Sequence, residues 1–122
     1  MMSDANLKKI SIAADFSRAP AGRYREDGPY NATKFRDDIL VPEIRTAILH
    51  DGKVAVILDG VLGYSSSFLE EVFGGLARTT DFSDKILTED LLIIANSRAY
   101  ETAKRTAELN LKNAMNVRHK SR

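Results

Sequence analysis

Two short runs of branched aliphatic residues, VAVIL at 54–58 and LLIIA at 91–95, restrict the folds open to this chain more than any other feature. Neither run alternates polar with apolar residues and neither exceeds the length of a strand, so each reads as a strand buried on both faces within a sheet. Around them the apolar period lengthens to that of a helix. Phe35, Ile39, Leu40, Ile44, Ala47 and Ile48 share one helical face interrupted at Pro42, which predicts a kink or two abutting helices, at about 31–40 and 42–49. Phe68, Leu69, Val72, Phe73 and Leu76 form a second stripe, over about 66–79. Tyr100, Ala103, Ala107, Leu111 and Ala114 form a third, with Asn96 or Ser97 as its cap. Near the start, Ile10, Ile12 and Ala14 alternate with their neighbours and predict a first strand over 8–16. FSDKILTED, 82–90, reads either as a short helix or as an edge strand around Ile86 and Leu87. Helices between successive strands imply an α/β fold with a sheet of about four strands, mostly parallel or mixed.

Length and composition set the outer bounds. A chain of 122 residues, 43% hydrophobic and 29% charged, fits one globular domain. The absence of cysteine removes any disulfide framework or thiolate metal site, and a cytoplasmic location is the natural expectation. No signal peptide is read at the start, and no apolar stretch approaches the roughly 20 residues of a membrane helix. The expected layout is a flexible N-terminus at 1–7, a domain at 8–116 and a basic, frayed tail at 117–122 holding Arg118, His119, Lys120 and Arg122. Because the body of the domain has no basic stripe interleaved with aromatics, nucleic-acid binding is not expected. The carboxylates Asp37, Asp38, Asp81 and Asp84 lack calcium-loop spacing, and Gly74-Gly75 falls inside a helix rather than in a phosphate cradle. Neither a metal nor a cofactor is expected. The Pro- and Gly-punctuated segment 17–30 reads as a long loop or a ragged hairpin, and a loop of this length is more often functional than one of a few residues.

The chemistry-bearing stretch is GYSSSFLEE, 63–71, directly after the VAVIL strand and Asp59. Ser67 with Glu70 fits a capping box at a helix start. Ser65 sits in a near match to the G-x-S-x-G elbow of serine hydrolases, but the second glycine is missing, and of the two histidines His50 precedes the motif and His119 lies in the basic tail instead of on an ordered loop after it. No catalytic residue is assigned, and a small serine hydrolase stands as the rival reading. A third reading is phosphorylation, because a serine in the first helical turn offers a phosphate unsatisfied amides and the positive end of the helix dipole.

The run VAVILDGVLGYSSSFLEEVFGGLAR resembles the central strand, loop, serine and helix of STAS domains, the fold of anti-sigma factor antagonists. A closer resemblance is to the STAS-like family of unknown function, through Gly22-Arg23, Phe35-Arg36, Leu40-Val-Pro42 and Ser67-Phe-Leu-Glu-Glu-Val-Phe-Gly74. The resemblance covers about residues 8–114. It implies a STAS-like α/β sandwich and a regulatory, bacterial-type signalling role without catalysis. The implied partner is a histidine-kinase-like ATPase or an anti-sigma-type factor, with no membrane. Ser67, and next Ser66, would be the switch serines. Asp59, Tyr64, Ser65, Glu70 and Glu71 would form the partner surface. Arg23 and Arg36 would either clamp a phosphate or carboxylate, or pair with Glu26, Asp27, Asp37 or Asp38 at the surface. A homodimer stays open.

Overall fold

The computed structural model describes residues 6–120. Three strands, β1 (Leu7–Ser11), β2 (Lys53–Ile57) and β3 (Leu91–Ile94), lie in the order β1-β2-β3 and pair in parallel throughout. Five helices accompany them: α1 (Ile12–Asp15), α2 (32–49), α3 (66–79), α4 (Ile86–Asp90) and α5 (Glu101–Lys120), with single 3-10 turns at Arg25–Asp27 and Arg98–Tyr100. No helix among the described residues is long and apolar enough to cross a membrane.

The sheet register aligns Ile10, Val56 and Ile93 across the three strands, with Val54 and Leu91 on the same face. These five are buried in one cluster with Phe35, Leu40, Phe68, Phe73, Leu76 and Leu111 from the helices. The helices therefore cover that face. β2, the central strand, buries Val54, Ala55 and Val56 in succession, as its unbroken apolar run predicts. β3 does not: Leu91 and Ile93 are buried while Leu92 and Ile94 are half-buried, the alternation of a strand covered on one face only.

Among the described residues the sheet has three strands rather than four, and the reason is local. The ambiguous segment around Ile86 and Leu87 winds into α4, started by Ser83, whose hydroxyl accepts the Ile86 amide at 3.2 Å. β1 is also shorter than its alternation predicts. Ser11 accepts the Ala14 amide and its own amide donates to Asp15, so the chain turns into α1 at Ile12. This reciprocal cap overrides the period of two.

Pro42 does not divide α2. A π-helical turn at Phe35–Leu40 precedes it, with the Val41 amide donating to the Arg36 carbonyl, and the wider winding carries the helix past the missing proline donor. A matching π-helical turn occupies Glu70–Gly74 of α3. At the other end of the molecule α5 continues through the segment expected to fray. Arg118 donates to the Phe82 carbonyl at 2.9 Å and pairs with Asp84 at 2.6 Å, while His119 also meets Asp84. Those contacts hold 117–120 as helix. Of the N-terminus expected to be flexible over 1–7, residues 1–5 lie outside the described residues, as do the last two, Arg122 among them, while Leu7 already opens β1.

Candidate functional site

Two groups of side chains meet on α3, one turn apart. The first is a cluster of charges around Glu70 and Glu71. Arg36, on α2, is 4% exposed and Glu71 7% exposed, and their side chains meet at 2.6 Å. Arg36 also donates to the Glu71 carbonyl at 2.9 Å and to Asp37 at 2.8 Å. Burial works against the guanidinium, but its bonds to Asp37 and Glu71 outweigh that and raise its pKa. Arg23 reaches in from the 17–30 loop and bridges Glu70 at 2.6 Å and Glu71 at 3.1 Å. Arg78, two helical turns beyond Glu70, grips the same carboxylate. Its hydrogen bond, with that of Arg23, holds Glu70 below the usual carboxylate range despite partial burial.

The loop that delivers Arg23 is ordered by its own backbone. Asp27 accepts the amides of Arg23 and Tyr24, and the Gly22 and Arg23 carbonyls accept the amides of Ala32 and Thr33 at the start of α2. Gly22 has φ +94°, and a Cβ there would lie 2.6 Å from the Asp27 Cβ. The glycine of the Gly22-Arg23 pair thus permits the turn that aims the arginine.

Gly74 and Gly75 serve the same cluster. A Cβ on Gly75 would sit 2.3 Å from the Arg36 guanidinium nitrogen, and one on Gly74 would sit 2.5 Å from a Glu70 oxygen. The paired glycines leave the space in which three arginines and two glutamates interlock. Arg23 and Arg36 are therefore paired, as one reading of the sequence anticipated, but chiefly with glutamates 47 and 35 residues away. Of the local acids anticipated, only Asp37 takes part with Arg36; Asp38 pairs instead with Arg25. Arg78 was not foreseen. Its signal is the spacing Glu70, Gly74, Arg78, which puts a residue without a side chain between two long charged ones on one helical face.

The second group forms the β2–α3 turn at the C-terminal end of the sheet. Asp59 accepts the Asn96 amide at 2.8 Å and both the amide and the hydroxyl of Ser97. Burial raises its pKa, but these bonds prevail and lower it overall. Tyr64 donates to the Leu58 carbonyl at 2.8 Å, and Tyr100, from the far side, donates to the Val61 carbonyl at 2.7 Å. Burial pushes the Tyr64 phenol well above its ordinary pKa, so it stays a donor. Asp59 and Tyr100 fasten this turn to the β3–α5 turn, while Tyr64 ties it back to the end of β2 and packs its ring edge-on against Tyr100. The sequence offers Ser97 as a helix cap and Tyr100 as part of a core-facing stripe; instead the Ser97 hydroxyl turns to the Asp59 carboxylate and Tyr100 to the Val61 carbonyl, partners in a distant loop that no local pattern announces.

The three serines separate by geometry. Ser65 is the helix cap: its hydroxyl accepts the Phe68 amide at 3.1 Å. This corrects the capping box expected at Ser67, for Glu70 is turned to Arg23 and Arg78 instead of reaching back. Ser67 is half-buried and its hydroxyl lies 3.3 Å from that of Ser65. Ser66 is exposed and lines a shallow cleft of about 350 Å³ between α3 and α5, with Leu62, Tyr64, Leu69, Tyr100 and Ala103. Leu62 stands 75% exposed at its rim. The turn brings Asp59, Tyr64, Ser65 and Ser66 together, and the charged cluster gathers Arg23, Arg36, Glu70 and Glu71.

No curated protein and no solved structure matches the chain. A family model does match, over residues 31–99, which run from the start of α2 to the turn before α5 and hold both groups except Arg23 and Tyr100. With more than half of its length inside that match, the chain belongs to the family described as a STAS-like domain of unknown function (DUF4325).

Proposed function

We propose that this chain is a regulatory interaction module that carries out no chemistry of its own and binds a protein partner through the β2–α3 turn and the exposed start of α3. The partner in this reading is a histidine-kinase-like ATPase or an anti-sigma-type factor, by resemblance to anti-sigma factor antagonists. The observation that carries it is the contrast between a fastened turn and what it displays. Asp59, Tyr64 and Tyr100 hold the loop backbone, while Leu62 and Ser66 face outward beside the cleft. An exposed apolar anchor on a preordered loop loses little conformational freedom on binding.

Phosphorylation is the proposed switch, and Ser66 is its preferred site over Ser67. Ser65 is occupied as the cap and Ser67 is half-buried, whereas Ser66 is accessible in the first turn of α3. A phosphate there would add about 1.5 to 2 negative charges at the helix's positive end and change what a partner meets.

The test is an affinity capture with a kinase-like ATPase as bait, in the presence of ATP, comparing wild type with Ser66→Ala, Ser67→Ala and Leu62→Ala. The reading expects phosphate mass on wild type that is lost in Ser66→Ala, and weaker capture of Leu62→Ala. Capture that ignores Leu62 and a chain that never gains phosphate would sink it.

A further inference from the structure

The two edges of the sheet are built differently. β1 carries Lys8 and Lys9, both exposed, at one edge. Such charges discourage another strand from adding on. β3 has the sequence LLII and carries no charge at all. The parallel ladder fixes which of its backbone groups are used. The Leu58 amide donates to the Ile94 carbonyl, so Leu92 and Ile94 turn their amides and carbonyls to β2, and Ile93 turns its own to the open edge. Above that edge, between β3 and the flank of α5, runs an apolar groove of about 370 Å³ lined by Leu87, Leu91, Ile93, Leu111 and Met115. Its rim holds Glu108 and Lys112, one helical turn apart and of opposite sign, with Glu108 also reached by Lys104 of the same helix at 3.5 Å.

We infer that the β3 edge is a dimer interface, and that its occupant is the β3 edge of a second copy of this chain. A twofold axis through Ile93 sets the two β3 strands antiparallel, and the Ile93 residues of the two copies exchange both backbone hydrogen bonds. The same axis opposes Leu92 to Ile94 of the second copy on the uncovered face, where both are half-buried in the single chain. It also runs the two α5 helices antiparallel, bringing Glu108 toward Lys112 of the second copy, and Lys112 toward its Glu108. The charge pair is self-complementary only under such an axis. β1 cannot substitute, because its lysines would meet LLII. The pairing closes as a dimer with a six-stranded sheet and leaves the β2–α3 turn free, so it stands independently of the function proposed above.

Analytical ultracentrifugation of the full chain across a concentration series tests this, with circular dichroism as the control for folding. Wild type should sediment at twice the chain's mass. Leu92→Lys places a charge on the outer face of the edge and should weaken the dimer by about tenfold or more while the chain stays folded. Glu108→Lys and Lys112→Glu should each weaken it by roughly threefold, and the two together should restore it, since the swapped pair is again complementary. High salt should weaken wild type and the double variant alike. A chain that remains monomeric, including one that binds an extended apolar peptide at this edge instead, overturns the second copy as the occupant. A dimer indifferent to Leu92→Lys and to the charge swap overturns the placement.

Discussion

The first turn of α3 and the turn that follows it make opposite use of polar residues. Ser65, Ser66 and Ser67 are exposed or half-buried and hold one backbone amide among them, through Ser65. Glu70 and Glu71, a few residues on, engage three arginines drawn from α2, α3 and the 17–30 loop. The S-F-x-x-E-x-F-G signature therefore spans two jobs. Its Phe68, Glu71, Phe73 and Gly74 serve the interior, and its Ser67 is half-buried beside the exposed Ser66. A match to that signature reports first on how α2, α3 and the long loop are tied together.

The sharpest way to break the comparison is Arg36→Ala. It leaves the buried Glu71 carboxylate short of its main partner and should cost about 3–5 kcal/mol, seen as a lowered midpoint in urea unfolding. Next is Gly75→Ala, whose Cβ would meet the Arg36 guanidinium at 2.3 Å. Displacing that buried group should cost about 1–3 kcal/mol and outweigh the roughly 1 kcal/mol gained in helix propensity. In an Arg36→Ala background the same substitution should become neutral or stabilising, which a double-mutant cycle would detect.

Among the serines the effects shrink. Ser65→Ala should lose about 1 kcal/mol as a cap, whereas Ser67→Ala should lose little; equal losses would return the cap to Ser67. Acid should separate the regions too. Glu70 has a folded pKa depressed below its ordinary 4.5, so its share of stability is complete well above pH 4.5 and is lost as the pH falls through the lower folded value. Stability in Glu70→Gln should therefore fall less steeply than in wild type as the pH drops below 4.5. Smallest of all, Ser66→Ala should shift stability by no more than about 0.5 kcal/mol. A larger loss would mean that this hydroxyl serves the fold and is not free for a partner.

What could be read from the sequence follows how local its cause is. The VAVIL and LLIIA strands and the span 66–79 were legible because burial period and strand length are set by neighbouring residues. β1 was overextended because alternation at Ile12 and Ala14 looks the same whether or not Ser11 and Asp15 close a cap. Of the two outcomes Pro42 suggests, a break into two helices does not occur, since the change of winding upstream of it has no residue signature. In the site, the residues were named but their partners were not. Arg23 finds Glu70 only because Gly22 bends a loop toward a helix 47 residues away. Ser65 and Ser67 are chemically alike, and only the angle at which the chain enters α3 decides which of them receives the Phe68 amide.

The paired π-helical turns, Phe35–Leu40 in α2 and Glu70–Gly74 in α3, bear on how this chain should be compared with its kin. Each turn winds one more residue than a regular helix would. Removing one residue from either would let the wide turn close to a regular one, with the helix beyond continuing in place. A relative lacking one residue at either place would not be carrying a loop deletion. Its gap would belong inside a helix, in the turn that carries Arg36 or the one that carries Glu71, when the two chains are aligned.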